Sequence, residues 1–384
     1  MNFKKSYSYG KQSISFKDIW EVVKTLRSNW LTQGPKVKEF EQALCDYTGA
    51  KYCVVVSNGT AALHLAVLSL GISKGDEVIT SPITFLASSN AILYSGGIVK
   101  FADIDEKTAC IDPIQIEKQI IDKTKAIMPI HFAGQSCDME KIFNIAKNHN
   151  LFVIEDAAHG LGSEYKGCKV GSCKYSDITT FSFHPVKNIT TGEGGAITTN
   201  NKDIYEKLLM LRAHGITKNK NLLTKNDGPW YYEQHYLGFN YRITDIQCAL
   251  GISQLKRLDK FIKRRRDIVE VYKTEFENDD RFSLLEEKEY SKAAFHIFPV
   301  LINFEKVKIG KKELFENLKK EGLFLQVHYI PVYLQPYYKM FGFKNGDFPN
   351  SEEHYKRTIS LPLYIELRKN DLKNIVKIIK KIVV

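Results

Sequence analysis

The chain has 384 residues, 43% apolar and 26% charged, a composition that excludes disordered, collagen-like and fibrous classes and leaves room for two domains. Lys and Arg outnumber Asp and Glu, 55 to 44, for a formal charge of +11. That surplus admits nucleic acid, an anionic membrane surface or a phosphorylated small molecule as partner and selects none of them.

The opening Met1-Asn-Phe-Lys-Lys-Ser-Tyr7 has basic residues with no apolar segment after them, so it does not read as a secretory signal. No run approaches the ~20 apolar residues of a membrane span. Ser15-Phe-Lys-Asp18 reads as a capping box that opens a helix with Ile19, Val22, Val23 and Leu26 on one stripe. From about residue 50, short β-branched runs alternate with helical segments. The runs are 52–56, 77–80, 98–102, 125–130, 151–155, 178–183 and 196–199, and the helical segments include 60–70, 87–94, 113–121 and 139–148. This rhythm predicts an α/β domain, a mainly parallel sheet between two layers of helices.

The texture changes after Thr244-Asp-Ile-Gln247, a second capping box. A long charged helix through Arg264 to Phe276 precedes strands at 296–303 and 323–328 and helices at 312–320 and 371–384, the pattern of a smaller α+β domain. The expected division is 1–258 for the large domain, N-terminal segment included, and 259–384 for the small one. In the last helix Leu372, Ile375, Val376, Ile379 and Ile382 form a stripe expected to dock on the body. The seven cysteines are scattered without Cys-x-x-Cys, as reduced structural thiols of a cytoplasmic protein would be, and no metal site is expected.

Ligands of an open α/β sheet lie beyond the carboxyl ends of its strands, so the residues there carry the chemistry. After 52–56 comes Ser57-Asn-Gly-Thr60-Ala61-Ala62, a small-residue turn whose free N–H groups and Thr60 hydroxyl suit a phosphate, although many strand-to-helix turns look alike. It is neither a Gly-x-Gly-x-x-Gly nor a Gly-Lys-Ser/Thr loop. After 151–155 comes Asp156-Ala-Ala-His159, where the acid needs a partner or caps the next segment. After 178–183 comes His184-Pro-Val-Lys187 and then a glycine-rich turn; the lysine either reaches solvent or is desolvated into an amine nucleophile. A phosphate cradle, an acid and an amine at one sheet edge together match pyridoxal 5′-phosphate, held by the lysine as a Schiff base with the acid on its ring nitrogen. Phe85, in Ser81-Pro-Ile-Thr-Phe85, comes after another strand end and suits stacking on a ring as well as a plain core position.

Ser-Asn-Gly-Thr-Ala-Ala-Leu-His, Glu-Asp-Ala-Ala-His, Thr-Thr-Phe-Ser-Phe-His-Pro-Val-Lys and Gly-Phe-Asn-Tyr-Arg resemble the DegT-type nucleotide-sugar aminotransferases of fold type I, from Leu31-Thr-Gln-Gly-Pro35 to Ile359-Ser-Leu-Pro-Leu363. The resemblance implies that Lys187 carries the cofactor, Asp156 faces the ring nitrogen, His159 bonds the phenolic oxygen and Phe85 stacks on the ring. It implies that Thr60, Ala61 and Ser182 hold the phosphate with Asn240 from the partner subunit of a homodimer. Some members of the fold have His at the lysine position and dehydrate sugars, so Lys187 argues for transamination.

Phe132-Ala-Gly-Gln-Ser-Cys-Asp-Met139, Gly228-Pro-Trp-Tyr-Tyr-Glu-Gln234 and Gln326-Val-His-Tyr-Ile-Pro-Val332 resemble the 4-aminotransferase branch that serves pseudaminic acid biosynthesis. That implies a UDP-linked 4-keto-6-deoxy-N-acetyl sugar as acceptor and L-glutamate as donor. One departure is Ser57-Asn-Gly-Thr-Ala-Ala-Leu63, where that branch often reads Asn-Ser-Ala-Thr-Ser-Ala-Leu; it touches the choice of sugar and leaves Thr60 in place. Thr32, Gln33, Gly34, His328 and Tyr329 are the candidates for the nucleotide-sugar pocket. The competing non-enzymatic reading, a nucleic-acid binder, rests on Lys263-Arg-Arg-Arg266, whose helix also carries Asp259, Asp267 and Glu270 as a solvated face would.

Overall fold

The computed structural model describes residues 5–384, so residues 1–4 of the N-terminal stretch lie outside the described residues. Seven strands form the main sheet: β1 (Tyr52–Val56), β2 (Glu77–Thr80), β3 (Ile98–Phe101), β4 (Thr124–Met128), β5 (Phe152–Asp156), β6 (Ile178–Ser182) and β7 (Gly195–Thr199). Their spatial order is β1-β7-β6-β5-β4-β2-β3. Only β7 runs against the rest, antiparallel to both β1 and β6. The mainly parallel α/β sheet expected from the alternation is therefore present, each strand within two residues of its expected bounds.

The strands are apolar on both faces because helices cover both. Val54 and Val56 of β1 belong to one core with Ala62, Leu65 and Ala66 of the helix Gly59–Ser69. Cys53 and Val55, pointing the other way, pack with Phe40 and Leu44 of the helix Pro35–Thr48 and with Phe181. Because β7 is antiparallel, the chain leaving β6 returns through residues 183–194 on the same edge where the parallel strands end. That return segment carries Lys187.

The C-terminal part has a three-stranded antiparallel sheet, Phe282–Leu284, Phe298–Ile302 and Thr358–Leu361, flanked by the helices Lys311–Lys320 and Lys369–Ile382. The terminal helix buries Leu372, Ile375, Val376 and Ile379, so its stripe docks on the body, and among the described residues no helix is long and apolar enough to cross a membrane. Packing crosses the expected division at residue 259 in both directions. The helix Leu258–Phe276 does begin there, but Tyr7–Ser8 pairs with Leu323–Phe324, and Tyr7 is buried in the C-terminal core. Conversely, Val332, Tyr333, Tyr338 and Phe348 pack into the core of the main sheet.

Two expectations about surface also change. The capping box at Ser15 is formed, with Asp18 Oδ2 accepting from Ser15 N–H at 2.7 Å, but the stripe it opens faces outward. Ile19 is 51% and Leu26 54% exposed, whereas Asp18 is fully buried. Asp18 turns inward because Ser253 Oγ donates to it at 2.6 Å and Gln254 Nε2 at 2.9 Å, beside the Arg257 guanidinium. The basic run 263–266 is likewise no open face for nucleic acid. Arg265 is buried and donates to the carbonyls of Phe295, His296 and Leu363 at 3.2, 3.0 and 3.0 Å. Arg264 donates to the Leu367 carbonyl, and Arg266 makes a two-pronged pair with Glu287 at 2.6 and 3.1 Å. Replacing Arg265 by Met strands three buried acceptors; the Arg265→Met chain is expected to lose roughly 3 kcal/mol, read as a lower urea midpoint with unchanged slope.

Candidate active site

The carboxyl ends of β1, β2, β5 and β6, the amino end of β7 and the segment 326–329 enclose a cavity of about 810 Å³, within the roughly 300–1,000 Å³ usual for cofactor and ligand pockets. Lys187, Asp156, His159, Thr60, Ala61, Phe85, Ser182, His328 and Tyr329 all line it, so the residues read from separate strand ends converge on one space.

Lys187 stands on the return segment between β6 and β7. Desolvation pushes its amine down to about 8 while the nearby Asp156 charge pulls the other way. Asp156, the last residue of β5, is buried; Ser88 Oγ donates to its Oδ2 at 2.6 Å and the Ala158 N–H to its Oδ1 at 3.0 Å. The acid is thus a hydrogen-bonded turn acceptor on the cavity wall. The neighbouring Glu155 points to the other face of the sheet, where His131 meets it at 2.6 Å.

The turn after β1 leads directly into the helix Gly59–Ser69. Asn58 caps it, its side chain accepting the Ala61 N–H at 2.8 Å. Ala61 lines the cavity, with its amide engaged by the cap. The amides of Gly59 and Thr60 remain at the positive end of the helix dipole. The cradle is tight. A Cβ on Gly59 would stand 2.8 Å from Ser182 Cβ, and one on Gly195 2.5 Å from the Asn58 carbonyl oxygen.

His159 lies three residues beyond β5. The Ala133 N–H can only donate, so the 3.3 Å contact makes His159 Nδ1 the acceptor and puts the proton of the neutral ring on Nε2, 3.0 Å from Tyr329 Oη. Burial, then the Lys187 charge, hold this imidazole well below its ordinary range. Phe85 precedes the helix Leu86–Tyr94 and is 61% exposed, a large apolar ring at the cavity mouth and not a core residue.

Thr32, Gln33, Gly34 and Asn240 do not line this chain's own cavity. Thr32 bridges Thr244, Gln33 is left-handed at φ 55°, and Gly34 N–H donates to Asp245 Oδ2 at 2.8 Å, so these residues shape the entry to the helix Pro35–Thr48. Asn240 is exposed and bridges Ala213. Residues that the strand-end reading overlooked are Tyr9, Ser88 and His296. Ser88 carried no sequence signal; His296, a lone polar residue at the head of an apolar run, could have been singled out.

Residues 12–380 match the DegT/DnrJ/EryC1/StrS aminotransferase family. The chain is 42% identical over 369 residues to the UDP-4-amino-4,6-dideoxy-N-acetyl-beta-L-altrosamine transaminase of Campylobacter jejuni, covering 95% of this chain and 94% of that one. Among solved structures, Helicobacter pylori PseC, an aminotransferase involved in the biosynthesis of pseudoaminic acid, superposes with a TM-score of 0.91 at 34% identity over 99% of both chains. The PLP form of the putative sugar aminotransferase Spr1654 from Streptococcus pneumoniae superposes with a TM-score of 0.90 at 32% identity, over 99% of this chain and all (100%) of that one. With motifs, sheet order and site geometry in agreement, the chain belongs to the DegT/DnrJ/EryC1/StrS aminotransferase family.

Proposed function

We propose that this aminotransferase uses pyridoxal 5′-phosphate to move the amino group of L-glutamate to C4 of a UDP-linked 4-keto-6-deoxy-N-acetylhexosamine, giving UDP-4-amino-4,6-dideoxy-N-acetyl-beta-L-altrosamine. The observation that carries the reading is a desolvated lysine amine and a buried carboxylate on one cavity wall, next to a helix N-terminus too tight for any residue but glycine. The chemistry of these groups fits the cofactor. When bound, it supplies an electrophilic carbonyl and an electron-withdrawing ring that lets an α-proton leave.

The chain's own residues do the rest. The Lys187 amine anchors the cofactor and, released by the incoming glutamate amine, has its Nζ free to take the proton from the donor Cα and return one at the sugar C4. Asp156 keeps a proton on the ring nitrogen. The Gly59 and Thr60 amides, the Thr60 hydroxyl and Ser182 hold the phosphate. The His159 Nε2–H donates to the phenolic oxygen, and Phe85 covers one ring face. His328 and Tyr329 stand on the wall that meets substrate.

The proposed assembly is a homodimer in which Asn240 of one subunit completes the phosphate site of the other. The outward apolar stripe of the helix Phe16–Leu26, with Trp30 at 55% and Leu237 at 85% exposure, supports it.

Offered a panel of UDP-, GDP- and dTDP-4-keto-6-deoxy sugars with glutamate, the enzyme is expected to aminate the UDP-N-acetyl substrate at C4, with parallel double-reciprocal lines; mass and NMR of the product check it. No turnover of any UDP-keto-sugar rejects that substrate. Lys187→Ala is expected to lose the visible absorbance that cofactor addition otherwise produces and all multiple turnover. Mixing it with an inactive Asn240→Ala chain restores part of the activity only if sites are shared between subunits. Because the Lys187 amine must be unprotonated to bind the cofactor carbonyl and is held to about 8, the loading rate of cofactor-free protein should fall about tenfold per unit as pH drops below 8, and level off above it. Stopped-flow absorbance across pH 6–9 measures this.

A further inference from the structure

His159, His296, His328 and Tyr329 form one wall of the cavity, and two of these histidines are tied to a single turn, Phe132–Gly134. The Ala133 N–H donates to His159 Nδ1 at 3.3 Å, and the Ala133 carbonyl accepts from the His296 N–H at 3.0 Å. Ala133 is left-handed at φ 56°, a conformation unfavourable for a residue with a Cβ that persists only where the surroundings hold it.

What holds the turn lies on the far face of the sheet. β5 pins the segment before it twice. Through the backbone, the Asp156 N–H donates to the Pro129 carbonyl at 2.9 Å, and the Asp156 carbonyl accepts from the His131 N–H at 3.1 Å. Through side chains, His131 Nε2 meets Glu155 Oε2 at 2.6 Å. The Cys137 N–H donates to His131 Nδ1 at 3.2 Å, so that nitrogen is an acceptor and the ring proton sits on Nε2, donated to the carboxylate. The Ser176 and Thr179 hydroxyls donate to the other carboxylate oxygen at 2.5 and 2.8 Å. Burial alone would raise the Glu155 carboxyl; these hydrogen bonds, that of His131 foremost, outweigh it and hold the group below its ordinary range. His131 then closes the turn, its carbonyl accepting from the Gly134 N–H at 3.1 Å. Two apolar residues would fill the space of this buried pair without the cost of desolvating a charge, so its value lies in the geometry it fixes.

We propose that Glu155 is a positioning residue for His159. Through the His131 ring it fixes the turn whose Ala133 amide selects the His159 tautomer, and so aims the His159 Nε2–H at the phenolic oxygen of the cofactor. The inference rests on the pyridoxal phosphate reading above.

Two measurements on the full-length chain test it: hydrogen exchange of the cofactor-free protein, and a pH titration of the visible absorbance of the cofactor-loaded protein. In Glu155→Leu the Ala133 amide is expected to exchange roughly 10-fold faster. The absorbance midpoint is expected to rise by roughly half a unit to one unit, because a phenolic oxygen that loses its donor binds a proton more tightly. His159→Phe raises the midpoint too, and Glu155→Leu adds nothing in that background. Glu155→Gln, which still accepts from His131, restores both readouts. If Glu155→Leu does not fold, Glu155→Leu combined with His131→Phe, which replaces both partners by apolar groups, carries the comparison. Wild-type behaviour of the Leu chain in either readout, or a Gln chain that restores neither, overturns the assignment. A midpoint shift that persists in full in the His159→Phe background also overturns it, since the effect then runs through the neighbouring Asp156. A wild type that gains no visible absorbance overturns the cofactor reading and this assignment with it.

Discussion

The site depends on one constraint: the Lys187 amine leaves water without pairing directly with the carboxylate beside it. A contact ion pair with Asp156 would keep the amine charged; full desolvation with no acid nearby would depress it further. Asp156 is already satisfied by Ser88 and Ala158, so its charge reaches Lys187 only through space, and the two opposing effects leave the amine near 8. Sheet direction makes the arrangement possible. β5 delivers Asp156 at its carboxyl end, and antiparallel β7 forces the chain after β6 to turn back along that edge, with Lys187 on the turn.

The same charge organises the opposite wall. Three imidazoles stay uncharged partly because Lys187 stands across from them, and Arg265 adds to this at His296. Arg265 is also the tie that holds the 295–296 backbone to the helix Leu258–Phe276. One buried guanidinium thus fixes the backbone of a cavity-wall histidine and adds to the burial and Lys187 charge that keep it neutral, linking the packing of the C-terminal part to the sheet edge.

The legible part of the site came from local rules. Asp156, Lys187, Thr60 and Phe85 each lie just beyond a short apolar run, and parallel strands deliver the residues at their carboxyl ends to a common edge. The illegible part depended on partners far along the chain. The arginines at 264–266 looked solvated because their acceptors lie at 287, 293, 295, 296, 363 and 367. The place of Gly34 at the entry to its helix was illegible because Asp245, which receives its N–H, is on another helix. The engagement of the Ala61 amide has a local origin: the Asn58 side chain accepts it, a choice that residue types at a turn leave open.

The outward stripe of the helix Phe16–Leu26 arises from the same competition between local pattern and distant partners. Amphipathicity alone would roll Ile19 and Leu26 inward. Asp18 instead sets the rotation, because a capping carboxylate buried against Ser253, Gln254 and Arg257 has no second place where its charge is met. The apolar face is therefore held outward by a buried polar cluster, and such a face remains in water only at the cost of hydration. A second copy of the chain, as proposed, covers it. The exposed Asn240, outside its own chain's cavity, is the residue that the proposed homodimer would bring to the partner's site.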